Sequence, residues 1–138
     1  MKVAVIGGSG FIGTNVINEL SKSKNISIIS TYKNNKKFKN TRKIKWIKYD
    51  LNSEKKNMYN FLKKPDVVVN LSWPDIPNYL THNHFNTYKK QKKMVKNLLN
   101  NGLKNLIVLG TCFEYGNVNG KLSETFKARP NTPYSKAK

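Results

Sequence analysis

Apolar residues fall in short clusters separated by polar stretches, and the spacing inside the clusters alternates between two kinds. Residues 1–6 form an apolar run closed by Gly7 and Gly8, the mark of a buried strand. Residues 11–20 place Phe11, Ile12, Val16, Ile17 and Leu20 at helical intervals. A β-branched run over 26–31 predicts a second strand, and the basic, asparagine-rich stretch 32–42 predicts a loop. Ile44, Trp46, Ile47 and Tyr49 stand among lysines over 44–49, which predicts a third strand nearer a sheet edge. Ser53 is placed to cap a short helix ending before Pro65. Val67, Val68 and Val69 mark a fourth strand over 66–71. Leu80, His84, Tyr88, Val95, Leu98 and Leu99 mark a long helix over 80–101, stopped by Gly102, and 105–109 is a fifth strand. Strands alternating with helices at this spacing predict an α/β fold with a parallel sheet covered on both faces. Neither an internal repeat nor a linker interrupts the pattern, so one domain is expected across 1–138.

Composition narrows the class. The chain has 138 residues, 38% of them hydrophobic, enough for one core, and no apolar run has the length of a membrane span. The first strand follows Lys2 directly and runs into a glycine turn, which leaves no room for a secretory signal. Cys112 is the single cysteine, so no internal disulfide is expected and a reducing compartment, the cytoplasm, is the expected location. The formal net charge is +19, yet every basic residue except Arg42 and Arg129 is lysine, spread along the chain. Lysine gives a diffuse point charge, whereas base and phosphate readout favours the planar fork of arginine. The charge is therefore read as a solvated surface, with no specific nucleic-acid partner and only weak binding to polyanions at low salt.

Gly7, Gly10 and Gly13 recur every third residue where the first strand hands over to the first helix. Gly7 suits a tight turn, Gly10 lets backbone approach a pyrophosphate, and Gly13 lets helix and strand pack closely. The helix start offers amide donors and a positive dipole end to phosphates. In this strand–turn–helix setting the pattern predicts a dinucleotide site and a Rossmann-type doubly wound parallel sheet. An NAD-preferring site usually ends its second strand in an acid; here the strand ends in Ser30, Thr31, Tyr32 and Lys33. Lys33, with Lys36, could neutralise a 2′-phosphate, which favours NADP over NAD; Lys33 as plain surface charge is the alternative.

Tyr134 and Lys138 stand four apart and would share one face of a helix begun by Pro133. A neighbouring ammonium stabilises phenolate, which suits a tyrosine to general acid/base work. Thr111, just after the fifth strand, could hydrogen-bond a reacting oxygen. Such a spacing also arises by chance in a lysine-rich chain, with both residues on the surface.

Taken together these segments resemble the extended short-chain dehydrogenase/reductases, which include NAD(P)-dependent sugar-nucleotide epimerases, dehydratases and reductases. Gly7 to Gly13, including Phe11 and Ile12, resembles the cofactor turn. Asp50 and Leu51 resemble the pair that meets the adenine, and Asn70, Leu71 and Ser72 resemble the fourth-strand end that borders the cofactor. The segment 110–116 resembles the one carrying the active-site Ser/Thr, and Tyr134 with Lys138 matches Tyr-x-x-x-Lys. The resemblance implies a nucleotide-linked sugar as substrate and Tyr134 as general acid/base. It implies that Lys138 lowers the phenol's proton affinity and holds the nicotinamide ribose, and that Thr111 positions the reacting oxygen. It also implies pairing of two copies as a homodimer.

Three departures qualify it. Cys112 and Phe113 stand where 4,6-dehydratases carry an Asp–Glu pair, so epimerase or 4-keto-reductase is favoured. Cys112 is read as a small packing residue, His82 and His84 as surface or core residues and not as metal ligands. Gln91 replaces an asparagine common in relatives, which puts a supporting contact in question. The length matches about half of such enzymes, so the sheet is expected to be C-terminally incomplete and the substrate region absent. A chain of this extent is expected to bind cofactor weakly and to turn over no sugar. A dinucleotide sensor or scaffold is the rival reading, although it would have no need of Thr111, Tyr134 and Lys138 together.

Overall fold

The computed structural model describes residues 1–34 and 38–138. Ten elements follow in the order β1 (Lys2–Ile6), α1 (Phe11–Lys22), β2 (Ser27–Tyr32), β3 (Ile44–Lys48), α2 (Met58–Phe61), β4 (Val67–Asn70), α3 (Asn83–Asn100), β5 (Asn105–Val108), a 3₁₀ turn (Cys112–Tyr115) and α4 (Pro133–Ala137). They belong to two compact units, Met1–Ser72 with Gln91–Leu109, and Trp73–Lys90 with Gly110–Lys138. The chain leaves and re-enters the first unit, so no linker composition marks the division.

The first unit is a five-stranded sheet in the order β3-β2-β1-β4-β5, with every neighbouring pair parallel. Successive strand residues point to opposite faces, and both faces of β1 are apolar. Ala4 and Ile6 join Ile29, Val68, Met58, Leu62, Met94 and Leu98 in a core on the face packed by α2 and α3. Val3 and Val5 join Ile28 and Ile17 of α1 in a core on the other. The sheet is thus doubly wound. The third strand is an edge strand, as its lysine-interrupted pattern predicts. Cover is incomplete at the opposite edge, where Ile107 and Val108 of β5 are exposed.

The helix expected from Ser53 begins later. Ser53 lies in a turn closed by its N–H on the Asp50 carbonyl, and Asn57 caps α2 by accepting from the Asn60 N–H at 2.8 Å. Both residue types cap well; Asn57 wins because it immediately precedes Met58, which is buried in the core.

Candidate functional site

In unit one, β1 is hydrogen-bonded to β2 on one side and β4 on the other, so strand order reverses there. Ligands of open α/β sheets bind beyond the strand ends at such a reversal. The segments at this point are the glycine turn after β1 and the Leu71–Ser72 backbone after β4. Gly7 has φ +83°, and a Cβ on it would stand 2.9 Å from the Ser72 amide nitrogen. Its N–H donates to Thr31 Oγ1 at 2.9 Å, while Gly10 N–H donates to the Gly7 carbonyl at 3.1 Å.

The glycines differ in what surrounds them. A Cβ at Gly13 would lie 2.4 Å from the Gly7 carbonyl oxygen, and one at Gly8 would lie 1.9 Å from Ser30 Oγ. At Gly10 it would meet, among the described residues, only the Gly7 carbonyl at 3.3 Å. Gly10 is also the N-cap of α1 and has no side chain with which to cap it. The first-turn amides of Phe11, Ile12 and Gly13 precede the first intrahelical bond, Thr14 N–H to the Gly10 carbonyl. Phe11 is 87% exposed and Ile12 45%, so these apolar side chains flank the turn and not the core.

Lys33 and Asp50 meet. The ammonium stands 3.3 Å from Asp50 Oδ2, beyond the ends of β2 and β3. Lys36 lies outside the described residues. Leu51 and Leu71 are partly buried, packed on the two opposite cores of the sheet. Gln91 makes contacts that its departure from asparagine left in question: Oε1 accepts from Asn70 Nδ2 at 2.7 Å, and Nε2 donates to the Ser72 carbonyl at 2.5 Å. The amide thus ties the end of β4 through both its oxygen and its nitrogen.

Thr111, Tyr134 and Lys138 all belong to unit two. Thr111 is the N-cap of the 3₁₀ turn, and its Oγ1 accepts from the Phe113 N–H at 3.3 Å, which leaves its hydroxyl proton to donate elsewhere. Cys112 is exposed, which corrects the expectation of a packing role: its turn projects it to solvent while Phe113 packs on Tyr79, 5.1 Å between ring centroids. Phe113 also stands edge-on to Tyr134 at 6.1 Å.

Tyr134 is 6% exposed, which decides against the surface alternative. Its ring lies 5.2 Å from those of Tyr79 and His84 and 6.1 Å from Trp73, and its N–H donates to the Tyr79 carbonyl at 3.2 Å. The short α4 that carries it opens with Pro133 and a reciprocal capping box between Thr132 and Ser135. Lys138 Nζ lies 4.4 Å from the centroid of the Trp73 ring. Burial pushes this ammonium below the usual lysine range. Trp73, Tyr79 and His84 were not singled out as site residues from the sequence. Their contacts with Tyr134 span more than forty positions, so no local pattern could signal them.

A family model, the NAD dependent epimerase/dehydratase family, matches residues 3–138. The chain belongs to this family. Among its relatives is the dTDP-6-deoxy-L-talose 4-dehydrogenase (NAD(+)) of Aggregatibacter actinomycetemcomitans, 26% identical over all of this chain and 52% of that protein. Two solved structures are similar in fold. MoeE5, in complex with UDP-glucuronic acid and NAD, has a TM-score of 0.79 at 23% identity over 99% of this chain and 46% of its own. The UDP-glucuronic acid 4-epimerase of Bacillus cereus, in complex with NAD, has a TM-score of 0.72 at 20% identity over 99% and 48%. The chain thus spans about half the length of the epimerase/dehydratase relatives it matches.

Proposed function

We propose that this chain serves an NAD-dependent oxidoreductase or epimerase of nucleotide-linked sugars, with the glycine turn as its coenzyme cradle and Tyr134 as its acid/base group. Gly10 is the observation that supports this most. A Cβ at positions 7, 8 or 13 would stand 2.9 Å or less from its nearest neighbour, whereas at Gly10 the single described neighbour within 4 Å is the Gly7 carbonyl at 3.3 Å, a tight contact on one side that leaves the other sides open. Space left beside first-turn amides at the positive end of a helix suits a pyrophosphate, so the residues fit a dinucleotide. Phe11 and Ile12 would flank it, Asp50 and Leu51 would border the adenosine, and Leu71 would border it after β4. The coenzyme, when bound, supplies or accepts the hydride.

Tyr134 would take the proton of a sugar hydroxyl as it becomes a ketone, and return one in reduction. Thr111 would donate its hydroxyl proton to the same oxygen, and Lys138 would stabilise phenolate. Cys112 and Phe113 offer no acid/base pair for eliminating water, which supports epimerisation or 4-keto-reduction over 4,6-dehydration. NAD is favoured over NADP. The talose dehydrogenase is named for NAD(+) and both solved neighbours hold NAD. The cation on which an NADP preference would rest, Lys33, already shares its charge with Asp50.

Titration calorimetry tests this. The wild-type chain should give weak saturable heat with NAD, at millimolar coenzyme if necessary. Gly10→Val should weaken it at least tenfold while lowering the melting temperature much less than Gly13→Ala does. Absence of heat with NAD, NADH, NADP and NADPH would sink the reading.

A further inference from the structure

His84 is fully buried in unit two, and both its ring nitrogens are engaged. Trp73 Nε1, which can only donate, lies 3.1 Å from His84 Nδ1, so Nδ1 must be the bare acceptor. Nε2 lies 2.8 Å from the Asn78 carbonyl oxygen, which can only accept, so Nε2 carries the proton. One neutral tautomer satisfies both contacts. The imidazole is thereby a fixed bracket: anchored to the Asn78 backbone at one end, it pins the indole at the other.

The pinned indole has two further neighbours. Its face carries the Lys138 ammonium at 4.4 Å from the ring centroid, within the range where a cation is attracted to the ring's negative face. Tyr134 meets it edge-to-face at 6.1 Å, and the imidazole itself also packs on Tyr134, at 5.2 Å between ring centroids. Lysine has four side-chain torsions and no other ring contact among the described residues holds its ammonium. A tryptophan free to rotate would move the surface on which that ammonium rests.

We propose that Trp73 and His84 are positioning residues for the Tyr134–Lys138 pair, with His84 locking the indole and the indole setting where the Lys138 ammonium stands. The inference rests on the reading of Tyr134 and Lys138 as the acid/base pair, but its geometry can be checked without coenzyme or sugar. Neither residue needs to touch substrate for this role.

Nuclear magnetic resonance on the isotope-labelled 138-residue chain at neutral pH tests it. Long-range nitrogen–proton correlations should show His84 with a proton on Nε2 only; a proton on Nδ1, or on both nitrogens, would overturn the proposal. The Lys138 side-chain methylene protons should be shifted upfield by the Trp73 ring current. That shift should fall by at least half in His84→Phe, which leaves the indole N–H without its acceptor, and should return in His84→Asn, whose amide oxygen can accept it. A Lys138 shift that ignores His84→Phe in a folded protein would overturn the proposal. If His84→Phe loses its folded dispersion, the wild-type indole N–H decides: bonded to the buried imidazole, it should exchange with solvent at least tenfold more slowly than the indole N–H of an unfolded chain, and free exchange counts against the pairing. Calorimetry without coenzyme heat alongside these signatures would refute the proposed function alone; coenzyme heat without them would refute the bracket alone.

Discussion

Tyr49 is 8% exposed at the end of β3 and next to Asp50; burial first, and then the neighbouring carboxylate, pushes its phenol up to about 12. The unfolded phenol ionises near pH 10, so above that pH the unfolded state loses a proton that the folded state keeps. The stabilisation is therefore complete below about pH 10 and is lost as pH rises through about 12. Denaturant melts from pH 9 to 12 should show stability falling more steeply for the wild type than for Tyr49→Phe; parallel curves would contradict the assignment. At the same scale, the glycines show what single residues conceal. Gly10 and Gly13 are alike in a repeating motif, yet a Cβ would lie 2.4 Å from the Gly7 carbonyl oxygen at Gly13 and 3.3 Å from it at Gly10, with no other described neighbour within 4 Å there. Only three-dimensional neighbours separate the glycine held for packing from the one that leaves room.

The elements were legible where local pattern and burial agree. The valine run of β4, the apolar run of β1 and the helical spacing of α3 each fix both type and place, because periodicity follows from which face is covered. Phe11 and Ile12 fit the helical pattern of α1 but face solvent, so their apolar character answers to something other than the core. Ser53 misled because capping propensity is local, while the start of α2 depends on when Met58 can reach the core. In α4, the Thr132–Ser135 box satisfies helix-start donors in an element of five residues. Thr132→Ala should cost about 1 kcal/mol of stability, the usual value of a helix cap. A near-neutral change in thermal denaturation would show that packing around Tyr134 holds the helix without its cap.

Over the whole molecule the charge is +19, and the described ion pairs are exposed ones, Lys22–Glu19, Lys33–Asp50 and Lys93–Glu54. Exposed pairs of this kind add little to stability and leave most of the positive charge to solvent. No helix among the described residues is long and apolar enough to cross a membrane. The expected consequence is retardation of duplex DNA in low-salt gels regardless of sequence, lost by about 200 mM salt as counterion release weakens. Retention at that salt with preference for one sequence would instead mark a nucleic-acid site that the lysine-dominated composition gives no reason to expect.

By itself the sequence determined the alternation of strands and helices, the doubly wound sheet, the glycine turn between β1 and α1, and the Tyr134–Lys138 spacing. Those are consequences of short-range periodicity and of residues a few positions apart. Tertiary structure alone decided that Lys33 meets Asp50, that Gln91 holds the end of β4, and that Tyr134 is walled by Trp73, Tyr79, His84 and Phe113. Such contacts join positions far apart in the chain, and no local spacing encodes which distant side chain a fold will bring within reach.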